Sequence, residues 1–161
     1  SYKDFPKKGI DFKDVLEIIQ YPDIFHDVIL KISSSQFFKN ADAIISIDAR
    51  GFIFGSAVSI HALKPIIFAR KPGKLPGELV TKKYSLEYGE NSLSIQKKAI
   101  NKYNSFAIID DLLATGGTVS CVSELLKNNN KKISGLLVVV ELSKLDGRLR
   151  FDFPVESSII F

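Results

Sequence analysis

Residues 106–120, FAIIDDLLATGGTVS, constrain the fold more than any other stretch of this chain. Phe106, Ala107, Ile108 and Ile109 form a short apolar run suited to a strand buried on both faces, with Asp110 and Asp111 at its carboxyl end. Leu112, Leu113 and Ala114 lead into Thr115-Gly116-Gly117-Thr118, where glycines let the backbone approach a ligand and aim several N–H groups at one anion. A helix follows at once, with Val119, Val122, Leu125 and Leu126 on one face and partial positive charge at its amino end. Carboxylates suit hydroxyl donors or a metal rather than a phosphate, so the combination predicts a phosphorylated sugar, such as a ribose phosphate. Taken singly, the glycines read as a tight turn and the aspartates as solvated residues at a helix start; the order of all four features points to a ligand. No lysine follows the glycines and no GxGxxG is present, which excludes a P-loop and a dinucleotide loop.

Similar signals recur along the chain. Residues 43–47 form a second buried-strand pattern ending in Asp48-Ala49-Arg50-Gly51, and residues 52–62 then read as a helix apolar almost all round, which must be buried on several sides, in part by a second subunit. Residues 65–69 form a further strand, followed by the stiff basic loop Arg70-Lys71-Pro72-Gly73-Lys74-Leu75-Pro76-Gly77. Residues 132–142 hold the sheet strand LLVVV, residues 144–150 a short turn, and residues 157–161 an edge strand. Pro22 opens a helix whose stripe is Ile24, Phe25, Val28, Ile29 and Ile32. Tyr84, Leu86 and Tyr88 alternate with polar residues, and Leu93 and Ile95 alternate again after a turn, so residues 79–96 predict a hairpin flap. Strands alternating with helices predict an α/β fold with a mainly parallel central sheet, in one domain over residues 1–161, with the site at the carboxyl ends of the strands.

The 161 residues carry 18 lysines but four arginines, and Arg50 and Arg70 each lie at the end of a strand pattern. Lysine replaces poorly a planar fork that grips phosphate at two points, so these two positions are candidates for anion binding. The net charge of +4 is too mild and scattered to predict a nucleic-acid partner. The paired lysines at 82–83, 97–98 and 131–132 read as solvated turns and helix ends, and His26 and His61 as surface residues. The lone Cys121 excludes an internal disulfide framework and reads as packing. No apolar run reaches membrane-spanning length and no signal peptide is visible, so a cytoplasmic protein is the expectation. The sequence contains no methionine, so the natural start is not shown.

IIDDLLATGGTVS resembles the phosphoribosyl-pyrophosphate (PRPP) signature of the type I phosphoribosyltransferases, and its DDLLATGGT core resembles that of the adenine-specific members. FPKKGIDFKD, DARGFIFG, ARKPGKLPG, YSLEYG and VVELSKLDGR extend the resemblance in the family's order over nearly the whole chain. It implies transfer of a phosphoribosyl group from PRPP to adenine, giving AMP and pyrophosphate, with Mg2+ held mainly by the substrate and water rather than by direct protein ligands. The implied base site is the loop 5–14, with the backbone around Asp11 and Lys13 reading adenine, Phe12 stacking on it and Leu142 covering the other face. Phe12 and Leu142 are equally core residues by pattern alone, and Asp11 departs from the apolar residue common at its position. Asp48, Ala49 and Arg50 become the pyrophosphate loop, with a cis peptide before Ala49. Arg70, Lys71 and Lys74 contact pyrophosphate, with Arg70 partly reaching across a homodimer interface. Asp110 and Asp111 hold the ribose hydroxyls or metal-bound water, while Ala114, Thr115, Gly116, Gly117 and Thr118 cradle the 5-phosphate. The hood contributes Tyr88 and Glu87; Glu87 becomes the acid or base for the purine, although by pattern alone it is an ordinary exposed strand carboxylate. A metabolite sensor that grips RNA or DNA, and the same chemistry on another purine, are the competing expectations.

Overall fold

The computed structural model describes residues 2–3, 11–12, 14–86 and 89–161, with side chains over 14–83 and 92–161. A short antiparallel pair, β1 (Tyr2–Lys3) and β2 (Asp11–Phe12), precedes a 3-10 helix at Val15–Gln20 and two helices, α1 (Pro22–Ser34) and α2 (Gln36–Lys39). Then come β3 (Ala43–Ile47), α3 (Gly51–Ala62), β4 (Ile66–Ala69), the hairpin β5 (Leu79–Leu86) and β6 (Gly89–Gln96), and α4 (Lys97–Ile100). The chain closes with β7 (Ser105–Leu113), α5 (Gly117–Asn128), β8 (Lys132–Glu141) and β9 (Val155–Ile160).

Five strands make one parallel sheet in the order β4-β3-β7-β8-β9. From β3 the chain passes through α3 to β4 on one side, whereas β7 occupies the other side and later strands follow it outward. The direction of winding therefore reverses between β3 and β7, and loops leaving their carboxyl ends diverge to open a crevice there. Side-chain alternation buries both faces of the sheet. Ile45, Ile47, Phe106, Ile108, Leu136 and Val138 pack with Val122, Leu125 and Leu126 of α5, while Ile44, Ala107, Ile109, Leu137 and Val139 pack with α1 and α3.

Several expectations change in detail. β7 runs on through Asp110 and Asp111 rather than stopping before them, because these residues continue the parallel pairing with β8. Ile24 is 52% exposed and lies off the buried face of α1, which Val28, Ile29 and Ile32 form. The hairpin is not a free flap along its length. Leu93 and Ile95 are buried in the core, and Arg70 and Ser94 exchange backbone hydrogen bonds at 2.9 and 2.7 Å, joining β6 to the end of β4. Lys82 lies in β5, not in a turn, and pairs with Glu124 of α5 at 2.8 Å. α3 is buried along Gly51, Phe54, Gly55 and Val58, but Ile60 is 77% exposed and Leu63, just beyond its end, is 90% exposed. Among the described residues no helix is long and apolar enough to cross a membrane.

Candidate active site

The crevice at the β3/β7 reversal is a cavity of about 340 Å³ lined by Asp48, Ala49 and Arg50 from β3 and by residues 110–119 from β7 and α5. Asp110 and Asp111 are 8% and 5% exposed, so these carboxylates are not the solvated residues of a helix start. The Asp111 N–H donates to Asp110 Oδ1 at 2.9 Å. Burial, with the neighbouring Asp111 charge added to it, pushes the Asp110 carboxyl well above the usual carboxylate range. Arg50 Nε stands 2.7 Å from Asp111 Oδ2, yet that oxygen receives no hydrogen bond of acceptable geometry, so the arginine is a charge partner there rather than a directional one. A buried carboxylate oxygen short of donors is suited to a ligand hydroxyl or to a hard cation.

Gly116 caps α5 in the left-handed region (φ 80°), turning the chain so that the helix starts at Gly117 and points its first amides at the cavity. Gly147 backs this loop. A Cβ at Gly147 would lie 2.1 Å from the Ala114 carbonyl oxygen, and one at Gly116 would lie 3.0 Å from the Gly147 carbonyl oxygen, so the two backbones are in direct contact. No side chain intervenes to blur the position of residues 114–117. Gly51 does the same service at the start of α3, where a Cβ would sit 2.8 Å from Asp110 Oδ1.

On the β3 side, the Asp48-Ala49 peptide is cis, as the resemblance implies. Arg70 Nε donates to Asp48 Oδ2 at 3.2 Å and its Nη1 to the Lys74 carbonyl at 3.3 Å, while the guanidinium lies 5.5 Å from the centre of the Phe52 ring. Arg70 thereby stands beside the pyrophosphate-loop candidate. Lys71 and Lys74 are exposed on the adjoining loop, where Gly73 and Gly77 take positive φ, and they do not line the cavity.

The structure therefore unites Asp48, Ala49, Arg50, Asp110, Asp111, Ala114, Thr115, Gly116, Gly117 and Thr118 around one cavity. Leu142 is half-buried against the core beyond β8, outside that lining. Asp11 and Phe12 are described by backbone alone, and Lys13, Glu87 and Tyr88 fall outside the described residues. Cys121 is buried on α5 and its thiol is pushed up to about 11 by burial, which fits packing rather than chemistry.

The phosphoribosyl transferase domain family matches residues 15–159. The chain is 74% identical over 161 residues to an adenine phosphoribosyltransferase of Prochlorococcus marinus (strain MIT 9312), covering all of this chain and 95% of that protein. The chain belongs to the phosphoribosyltransferases, among those of adenine. An adenine phosphoribosyltransferase of Mycoplasmopsis synoviae (strain 53) is 42% identical, with 97% of this chain and 92% of that one covered. The crystal structure of adenine phosphoribosyltransferase from Thermoanaerobacter pseudethanolicus superposes with a TM-score of 0.92 at 36% identity, covering 99% of this chain and 94% of that one. The Saccharomyces cerevisiae enzyme, solved with an imino-altritol bisphosphate and adenine, gives 0.87 at 32% identity, covering 97% and 91%.

Two features behind the cavity were given no role by the sequence reading, although both residues lie in the stretch VVELSKLDGR. Gly147 lies in what reads as a plain turn, and Arg148 reaches back to buried Glu141 with Nε–Oε1 at 2.9 Å and Nη2–Oε2 at 2.5 Å. The scarcity of arginine that singled out Arg50 and Arg70 applies equally to Arg148.

Proposed function

We infer that this chain transfers the 5-phosphoribosyl group of PRPP to adenine, releasing pyrophosphate and forming AMP. The observation that supports the reading is the cavity itself, where the start of α5, two buried carboxylates and an arginine-bearing loop meet in one crevice. The order matches a ribose bearing phosphate at one end and pyrophosphate at the other. Backbone N–H groups of 115–118 take the 5-phosphate, Asp110 and Asp111 accept from the ribose hydroxyls, and Ala49, Arg50 and the Asp48–Arg70 pair face the pyrophosphate.

The bond from ribose C1 to the pyrophosphate oxygen breaks with both electrons leaving on oxygen, and a bond from C1 to a ring nitrogen of adenine forms. Positive charge develops on the sugar beside the buried acidic pair, while Arg50 and the basic loop of Arg70, Lys71 and Lys74 stabilise the departing anion. Glu87 takes the proton displaced from the purine nitrogen, and the hood bearing Glu87 and Tyr88 excludes water that would capture the sugar. Asp11, Phe12, Lys13 and Leu142 form the purine site. The oxygen-only donor set of Asp110 and Asp111 at the cavity wall fits Mg2+ held through substrate and water. When bound, Mg2+ neutralises charge on the diphosphate. We read the chain as one domain with its hood at 79–96 and base loop at 5–14, working as a cytoplasmic homodimer.

The test is AMP formation from adenine, PRPP and magnesium, with hypoxanthine, guanine and xanthine run in parallel. Turnover of adenine alone is expected. Turnover of another purine refutes the base assignment, and saturable PRPP binding without turnover refutes the enzymatic reading in favour of a sensor.

A further inference from the structure

The segment after β8 carries a polar cluster whose side chains lie outside the cavity lining, although the Glu141 backbone pairs with Leu113 of that lining and the Arg148 side chain is 42% exposed. Glu141, the last residue of β8, is 4% exposed. Arg148 grips it with both Nε and Nη2, Ser157 Oγ of β9 donates to Glu141 Oε2, and Arg148 Nη1 donates to the Val155 carbonyl at 3.0 Å. The Arg148 hydrogen bonds hold the Glu141 carboxyl below its ordinary range, so the cluster is an ion pair near neutral pH. A fork-to-fork pair of this kind fixes direction as well as distance. What it fixes is the short helix Gly147–Arg150, and with it Gly147, whose backbone abuts Ala114 and Gly116. Phe151 and the Arg150 stem approach the same glycine, at 3.0 and 3.2 Å from where a Gly116 Cβ would stand.

We propose that the Arg148–Glu141–Ser157 cluster is a positioning device for the 5-phosphate loop, holding the Gly147 backbone as the rear wall that sets where residues 114–117 lie. Leu142 is fixed separately, its N–H donating to the Leu113 carbonyl at 2.9 Å, and Ser143 is tied to Phe161 by its N–H and hydroxyl at 2.9 and 2.7 Å. The purine side of the site is thus anchored without Arg148, and the effect of losing the cluster is confined to the phosphate side.

The proposal rests on the phosphoribosyl transfer reading, which the wild-type assay decides before any variant is compared. The informative proteins are Arg148→Lys, which keeps a charge but loses the fork, and the double variant Glu141→Gln with Arg148→Ala. Arg148→Ala alone leaves the Glu141 carboxylate without its cation, with Ser157 as its remaining side-chain donor, and loses stability for that reason. The double variant removes that charge, so its Tm recovers relative to Arg148→Ala while the rear wall stays loose. Initial rates over a PRPP series at saturating adenine, and the converse, are expected to show KM for PRPP raised by about tenfold or more in both proteins, with KM for adenine within about twofold. A double variant with recovered Tm and wild-type KM for PRPP overturns the proposal, as does a parallel rise in both KM values. Absence of wild-type turnover overturns the underlying reading instead.

Discussion

Gly147→Ala tests whether the loop at 114–117 binds the substrate phosphate. The substitution adds one methyl outside the cavity and strains no backbone angle, since Gly147 is not among the positive-φ glycines. Its Cβ would stand 2.1 Å from the Ala114 carbonyl oxygen and 3.1 Å from the Gly116 nitrogen. A carbon and a carbonyl oxygen need about 3.3 Å, so the loop or the Gly147 segment must retreat by about 1 Å. Both neighbours are backbone, and no rotamer change relieves the contact. A shift of that size in an element that positions substrate costs about 10²-fold in rate, or about 2.7 kcal/mol at the barrier. Overpacking costs about 1–3 kcal/mol of folding stability, which leaves a typical domain folded at 25 °C. Initial rates with PRPP varied at saturating adenine should show the loss in kcat/KM for PRPP, with thermal unfolding run alongside. A folded Gly147→Ala protein with wild-type kcat/KM for PRPP refutes the reasoning, because the loop would then either not hold the phosphate or not be held by Gly147.

Glu87→Gln is expected to lower kcat by about 10²-fold or more with substrate binding little changed, measured by steady-state rates and by direct binding; unchanged turnover removes Glu87 from the proton transfer. Arg70→Lys loses the shared contact with Asp48 and the Lys74 carbonyl and the flat face over Phe52, so kcat/KM for PRPP should fall by about tenfold or more in the same assay. Because burial raises the Asp110 carboxyl, the folded protein binds a proton more tightly than the unfolded chain. Stability on this account is greatest below the ordinary carboxylate pKa and falls as pH rises toward the raised value. Asp110→Asn should therefore abolish activity while raising Tm at neutral pH, by more than it does in acid; a lower Tm at all pH values counts against the burial argument. Glu141 has the opposite sign: its contribution is present above the ordinary carboxylate value and disappears as pH falls through its lowered one, so Glu141→Gln should flatten the acid limb of a Tm-against-pH series.

How far these residues could be read in advance follows from the kind of signal each leaves. β3, β7 and β8 were legible because a strand buried on both faces needs an unbroken apolar run, and AIISI, FAII and LLVVV admit little else. The glycine loop before α5 was legible because glycine at the start of a helix has a local cause, the left-handed turn at Gly116. The end of β7 was misplaced for an informative reason: charged residues normally end a buried strand, and here Asp110 and Asp111 continue it because the cavity, not the core, receives their carboxylates. Gly147 and Arg148 left only the resemblance carried by VVELSKLDGR, which gave neither of them a role. Their roles arise only when β8, the turn after it and β9 are brought together, so that a glycine chosen for contact across 33 residues looks like any other turn glycine. A sequence shows what a segment does for itself, and the hood base makes the same point from the other side: its alternation announced a hairpin, but the hydrogen bonds from Ser94 to Arg70 that weld it to the sheet belong to no single segment. The site thus divides into parts with local causes, the strand ends and the glycine loop, and parts whose cause is contact between distant segments. It is the second group that decides how accurately the first is placed.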